Sequence, residues 1–135
     1  MKLFLTILLL VPSVLTADVP PEQKAEVDYL LDYVSKSGCD MNRNGSRHKG
    51  EKAVSHIQKK YDYFRDDIKT TEDFIEYSAT KSTMSGKFYM VECEGQEPIR
   101  TKDWLLDALQ NFREGQEINN RREGAPPTKP TASVR

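Results

Sequence analysis

The chain has few of the residues on which small catalytic and metal sites usually depend. It contains two cysteines, two histidines and one tryptophan in 135 residues. Cys39, His48, His56 and Cys93 show no tight ligand spacing, which argues against a metal site. The cysteines do not form a C-x-x-C pair, which argues against a redox centre. We therefore expect no metal and no cofactor.

The chain also lacks an excess of charge of either sign. Its 20 Lys and Arg residues and 21 Asp and Glu residues give a formal net charge of −1. These residues are interleaved along the sequence, which is typical of a solvated surface. A general nucleic-acid binder would carry a basic face or stripe, so we expect no nucleic-acid partner.

The N-terminus holds the longest apolar run in the sequence. Lys2 precedes the apolar stretch from Leu3 to Leu15, and Thr16-Ala17 then supplies a small residue for cleavage. This pattern predicts a secretory signal peptide over residues 1–17, with an apolar core too short to cross a membrane. The alternative is a retained, buried N-terminal helix. We expect an exported protein without a stable membrane anchor.

The C-terminus has a composition that does not favour a packed core. From residue 115 onward large apolar side chains are rare, and Pro126, Pro127 and Pro130 interrupt the chain. Such a segment cannot bury enough surface to offset the entropy lost on ordering. The sequence thus predicts a single small globular domain over 18–114 and a flexible tail over 115–135.

Four segments of this domain carry apolar residues at helical spacing. The first follows Pro20-Pro21, the second begins at Ser46 or Gly50, the third follows the N-cap Thr70, and the last follows Thr101. The apolar positions are Val27, Leu30, Leu31 and Val34; Ala53, Val54, Ile57, Tyr61 and Phe64; Phe74, Ile75 and Ala79; and Trp104, Leu105, Ala108, Leu109 and Phe112. We predict four helices.

One apolar run is aromatic and β-branched enough to form a strand. It covers residues 88–93 and needs a partner, for which residues 39–43 are the best candidate. The predicted fold class is therefore mainly α with a minimal two-stranded antiparallel sheet (α+β).

The two cysteines lie in these two predicted strands. In an exported chain they are expected to form a disulfide, Cys39–Cys93. If they face each other in an antiparallel pair, Met41 faces Val91 and Arg43 faces Tyr89 on the same side. Asn44-Gly45 then ends the first strand, because both residues tolerate positive φ.

Several short motifs in this order resemble one bacterial family. They are Arg43-Asn44-Gly45-Ser46; Ala53 and His56; Thr71-Glu72-Asp73-Phe74-Ile75; and Ser82 with Ser85-Gly86-Lys87 and Tyr89. The chain resembles the YfeK-like family of small exported proteins, a domain of unknown function, over about residues 22–112. The resemblance implies export to the periplasm and carries no catalytic assignment.

Two kinds of site stay open. The polar segment, residues 81–87 before the second strand, combines hydroxyls, cations and a glycine. Arg43 approaches this segment because it faces Tyr89, and together these groups indicate a site for a small anion. The alternative for these groups is structural: they cap the third helix and tie the turn at Asn44 to the segment. The candidate ligand residues are Arg43, Asn44, Lys81, Ser82, Ser85, Gly86 and Lys87.

The second kind of site is catalytic. His56 with Ser82 or Ser85 and Asp73 would supply the residue types of a small hydrolase, although no nucleophile-elbow glycines frame either serine. We therefore favour a non-catalytic periplasmic binding or interaction module, whose partner is a periplasmic protein or a small anionic ligand. A small periplasmic hydrolase using His56 with a serine is the alternative.

Overall fold

A computed structural model describes residues 19–124 of the chain. The elements follow in the order α1 (Pro21–Lys36), β1 (Asp40–Arg43), β2 (Ser46–His48), α2 (Gly50–Tyr63), a 3-10 turn (Arg65–Asp67), α3 (Thr71–Ala79), β3 (Met90–Glu92), β4 (Ile99–Arg100) and α4 (Thr101–Gly124). The predicted signal peptide, 1–17, lies outside the described residues. So does the end of the predicted tail, 125–135.

The four predicted helices are present, and their ends follow local sequence signals. The chain leaves α1 through Gly38, whose φ of 71° is the left-handed conformation that glycine adopts without strain. At α3, the Thr70 side chain accepts from the Asp73 amide at 3.0 Å, and the Asp73 carboxylate accepts from the Thr70 amide at 3.1 Å. This reciprocal capping box fixes where the short third helix begins.

All four helices contribute to one hydrophobic core. Their buried side chains include Leu30 on α1, Ile57 on α2, Phe74 on α3 and Leu105 on α4, none more than 1% exposed. The rings of Phe74 and Tyr61 meet edge to face with centroids 5.2 Å apart. The apolar stripes read from the sequence thus face each other and one side of the sheet.

Arg113 of α4 joins three helices at the edge of this core. Its guanidinium donates to both carboxylate oxygens of Glu26 on α1, at 2.8 and 2.9 Å, and to Glu72 on α3 at 2.6 Å. The hydrogen bonds from Arg113 are the main reason that the pKa of the Glu26 carboxyl lies below its usual range. The charge of this arginine is therefore fully matched by carboxylates.

The sheet has four strands, so the prediction of two strands was wrong. Its order is β2-β1-β3-β4, and every pairing is antiparallel. The central pair, β1 and β3, is the predicted one. The added strands are three and two residues long, too short to show a period of two in the sequence.

A two-residue hairpin adds the edge strand β2. Asn44 and Gly45 both have positive φ, 54° and 87°, and they connect β1 directly to β2. This is the turn for which Asn-Gly is the strongest sequence signal. We predicted these residues to end a strand, and placed a possible helix start at Ser46, where the chain instead turns back and continues the sheet.

The predicted disulfide and its register are confirmed. Cys39 and Cys93 are bonded with their Cα atoms 4.4 Å apart, the spacing of a pair without backbone hydrogen bonds. Met41 pairs with Val91, and Asp40 pairs with Glu92 on the opposite, outward face. There Arg47 forms an ion pair with Glu92 at 2.6 Å, which relieves the repulsion between the two acids.

The final helix is longer than its apolar stripe. α4 continues to Gly124, so residues 115–124 are helical where we predicted the start of a flexible tail. The side chains of these ten residues are exposed, and ion pairs such as Arg121–Glu117 lie along the helix surface. Five of these residues, Gln116, Glu117, Arg121, Arg122 and Glu123, have good helix propensity and extend a helix that the core has already nucleated. Between residues 19 and 124 the chain forms no helix long and apolar enough to span a membrane.

Candidate functional site

Arg43 lies where the register of β1 and β3 predicts, beside Tyr89. It is the last residue of β1 and shares the inward face of the sheet with Met41. The Arg43 guanidinium, half-buried, lies beside the Tyr89 hydroxyl and acts on its pKa. Its Nε atom is buried and has no hydrogen-bond partner within residues 19–124. Tyr89 is therefore a neighbour of this arginine that does not neutralise its charge.

His56 of α2 supports the Tyr89 hydroxyl from the other side. The Tyr89 side chain is 3% exposed, and its oxygen lies 3.1 Å from His56 Nε2. The pKa of His56 is lowered to about 4, mainly by burial and to a smaller extent by the charge of the neighbouring Arg43. The imidazole is thus neutral at ordinary pH, and its Nε2 atom forms a hydrogen bond with the Tyr89 hydroxyl. This bond fixes the Tyr89 ring beside Arg43.

Two further basic side chains, Lys60 and His48, lie near these residues. Lys60, one turn beyond His56 on α2, has its Nζ atom 5.2 Å from the centre of the Tyr89 ring. The pKa of Lys60 is lowered, mainly by burial and to a smaller extent by the charges of Arg43 and Lys81. His48 of β2 also has a lowered pKa, from burial and from Arg43 and Lys52. We call Arg43, His48, His56, Lys60 and Tyr89 the Arg43 cluster.

The charge of the Arg43 cluster is not compensated as it is elsewhere in the molecule. Arg47, Arg65 and Arg113 each form an ion pair with a carboxylate. Arg43 is half-buried, yet it forms no ion pair within the described part of the chain. The charged groups that act on the pKa of His56 are Arg43, Lys60, His48 and Lys59, and none of them is an acid. A half-buried charge beside other basic groups is energetically unfavourable. A bound anion would reduce this electrostatic cost.

The polar segment before β3 uses most of its hydrogen-bonding groups internally. The Ser82 amide donates to Lys87 O and the Gly86 amide to Ser82 O, both at 2.9 Å. The Ser82 hydroxyl accepts from the Ser85 amide at 3.2 Å, and the Ser85 hydroxyl accepts from the Lys87 amide at 3.3 Å. The amides and hydroxyls that we expected to hold an anion are therefore engaged in forming the turn.

This segment does meet the hairpin, as the structural alternative predicts. The Ser85 hydroxyl donates to Asn44 Oδ1 at 2.7 Å, and Lys60 donates from α2 to the Lys81 carbonyl at 2.6 Å. Ser82 is buried, whereas Asn44, Lys81 and Lys87 are exposed around it. Of the seven candidate ligand residues, Arg43 alone combines partial burial with a charge that no carboxylate within residues 19–124 matches.

The geometry does not assemble the hydrolase that we kept as an alternative. The hydroxyl within reach of His56 belongs to Tyr89, which is buried, and neither Ser82 nor Ser85 contacts the imidazole. Asp73 is engaged in the cap of α3. Within residues 19–124, no group of three or more His, Cys, Asp or Glu side chains is arranged to hold a metal ion.

His48 and Lys60 were missing from the predicted site. Lys52, His56 and Lys60 recur at intervals of four, so they lie on one face of α2, and this spacing could have been read from the sequence. His48 could be placed only after β2 was known, because pairing with Met41 puts it on the inward face.

The burial of His56 predicts how stability depends on pH. Since its folded-state pKa, about 4, lies below the ordinary value of 6.5, the unfolded chain binds the proton more readily. The stabilisation is full above pH 6.5 and is lost as pH falls toward 4. We expect the free energy of unfolding to drop by roughly 1–2 kcal/mol between pH 7 and pH 5.

Urea unfolding at several pH values measures this loss. The His56→Gln variant retains a hydrogen-bonding side chain without the titration, so its stability should change much less over the same range. The carboxylates with lowered pKa, Glu26 and Glu72, titrate below this window and should act alike in both proteins. Equal slopes for the two proteins would show that His56 is not buried as described.

These features define the class of protein: a small α+β domain, stapled by one disulfide, with a half-buried cationic cluster on the inward face of its sheet. The chain belongs to a family of unknown function, DUF5329, whose model matches residues 21–113. It is 35% identical over 74 residues to the uncharacterised protein YfeK of Salmonella typhimurium. That alignment covers 54% of this chain and 62% of the relative. No solved structure matches the chain.

Proposed function

We propose that this protein is an exported, non-catalytic binding module that recognises an anionic group through the Arg43 cluster. The observation that carries the proposal is the half-buried guanidinium of Arg43, which lies beside Tyr89 and, within residues 19–124, forms no ion pair with a carboxylate. A carboxylate or phosphate group bound to the guanidinium would compensate its charge and reduce the repulsion between Arg43 and Lys60.

The arrangement suits recognition better than bond cleavage. The imidazole of His56 has its Nε2 atom on Tyr89 and a pKa lowered to about 4, which makes it a weak base at neutral pH. Burial raises the pKa of the Tyr89 hydroxyl, so this group stays protonated beside Arg43. Within residues 19–124, neither Ser82 nor Ser85 is hydrogen-bonded to His56.

Export to the periplasm is part of the proposal. The apolar N-terminal run with its small-residue exit supports it, and so does the disulfide, which persists in oxidising compartments. The family resemblance points the same way.

Phosphate titration tests the anion site. Inorganic phosphate should shift the amide signals of residues around Arg43 in NMR spectra and should raise the unfolding temperature of the mature protein. Arg43→Gln should weaken phosphate binding by about tenfold or more, because a hydrogen bond to a charged group is lost. The phosphate affinity of Arg43→Lys should lie between those of the wild type and Arg43→Gln. Lysine retains the positive charge but not the planar guanidinium that can bind two oxygens.

Arg121→Gln is the matched control. It removes the same charge from an exposed position on α4, where the ion pair with Glu117 lies along the helix surface. It should bind phosphate as the wild type does. A parallel titration with acetate shows whether the site also binds carboxylates. If Arg43→Gln binds both anions as well as the wild type, the Arg43 cluster is not the binding site.

A further inference from the structure

A groove of about 630 Å³ opens beside the edge strand of the sheet. Its walls are the end of α1, strand β2 and the first turn of α2. The backbone of α1 passes close to α2 at its end, since a Cβ added to Gly50 would lie 2.5 Å from the Ser35 carbonyl oxygen. The groove is therefore a fixed feature between packed elements.

The side chains that line this groove are mostly basic. β2 contributes Arg47, whose charge is paired with Glu92, and His48. The start of α2 contributes Lys49 and Lys52, against the single acid Glu51. Lys49 and Lys52 are exposed, and neither forms an ion pair within residues 19–124. The groove is thus complementary to a ligand with negative charges.

Strand β2, which contributes two residues to the groove, also has free backbone groups at the edge of the sheet. In a hairpin with a two-residue turn, the flanking residues Arg43 and Ser46 exchange hydrogen bonds, and the next pair, Asn42 and Arg47, does not. The amide and carbonyl of Arg47 therefore point away from β1, at the free edge of the sheet. An extended peptide could pair with them, as in β-strand addition.

The groove is continuous with the Arg43 cluster. His48 lines the groove and belongs to the cluster, and both Arg43 and Lys52 act on its pKa. On α2, Lys52 in the groove and His56 in the cluster are one helical turn apart on the same face. A ligand that occupies the groove therefore comes within reach of Arg43.

We infer that this groove binds an extended acidic peptide segment of a partner protein, with one carboxylate on the Arg43 cluster. The inference rests on the proposed function and names its partner class. A peptide is favoured over a nucleic acid because the edge of β2 presents main-chain groups. Nucleic acid would also need aromatic platforms for base stacking. No Phe, Tyr or Trp is among the described residues that line the groove.

Fluorescence anisotropy with a labelled octapeptide of alternating glutamate and valine tests the inference. The wild type should bind this probe and should not bind the matching peptide of alternating lysine and valine. The double variant Lys49→Gln/Lys52→Gln should weaken binding by about fivefold, as expected for the loss of two exposed charges. Lys24→Gln, on the surface of α1 some 16 Å along the helix from Ser35, should match the wild type.

Amide exchange separates strand addition from attraction by charge alone. Bound peptide should slow hydrogen exchange at the Arg47 amide. The Arg43→Gln variant should also bind the acidic peptide more weakly than the wild type does. No binding of the acidic peptide, an unchanged Arg47 amide, or tighter binding of a labelled single-stranded oligonucleotide would each overturn the inference. The proposed function stands apart, because phosphate binding that depends on Arg43 would survive any of these results.

Discussion

Replacing both cysteines with serine is expected to lower the free energy of unfolding by about 4 kcal/mol. The bond between Cys39 and Cys93 spans a sequence separation of 54 residues. In the chain-entropy model, closing a loop of this length stabilises the folded state by about 4 kcal/mol. A domain of this size has a marginal core, so this loss is a large fraction of its total stability.

Urea unfolding of the oxidised wild type and of the Cys39→Ser/Cys93→Ser variant measures this difference. A reducing agent should bring the wild type down to the stability of the variant and leave the variant unchanged. If the variant is as stable as the oxidised wild type, the disulfide does not restrict the unfolded chain as the entropy model assumes.

The disulfide also bears on the candidate site. Cys39 and Cys93 each lie four residues from a member of the Arg43 cluster, Arg43 on β1 and Tyr89 just before β3. A slip of one residue between β1 and β3 would turn Arg43 to the outward face. We therefore expect the serine variant to lose phosphate binding along with stability.

Phe74→Ala is expected to destabilise the domain by about 3–5 kcal/mol. Phe74 is 1% exposed and packs edge to face on Tyr61, between α3 and α2. Its removal loses the burial of a large apolar side chain and leaves a cavity that the surrounding helices cannot fill completely. The expected result is a lower urea midpoint with a similar slope.

Tyr77→Ala is the matched control on the same helix. Tyr77 is 38% exposed and touches the half-buried ring of Phe64, with centroids 5.4 Å apart. Its removal should lower the free energy of unfolding by only about 1 kcal/mol, since little buried area is lost. Similar losses for both variants would mean that Phe74 does not occupy the centre of the core.

The helices and the central strand pair could be predicted because their signals are local or covalent. The apolar stripes have the helical period, and Thr70 with Asp73 forms the cap that its spacing indicates. One pair of cysteines then fixed the register of two distant segments, because a disulfide allows only a narrow range of Cα distances.

The edge strands and the length of α4 could not be predicted in the same way. Ser46–His48 and Ile99–Arg100 are strands only because neighbours supply hydrogen-bond partners, and the first required the Asn44-Gly45 turn to be taken as a hairpin. The exposed end of α4 has no apolar stripe, so its helix depends on propensity and on the folded turns before it.

The sequence by itself determined the helical stripes, the disulfide and the meeting of Arg43 with Tyr89, since these follow from periodicity and from strand register. Only the tertiary structure decided where charge accumulates. Basic and acidic residues alternate along the chain and nearly cancel in the total. Folding places Arg47, Arg65 and Arg113 on carboxylates and leaves Arg43 among bases. Electrostatic interactions depend on distance and burial in space, which a one-dimensional pattern of charges does not contain.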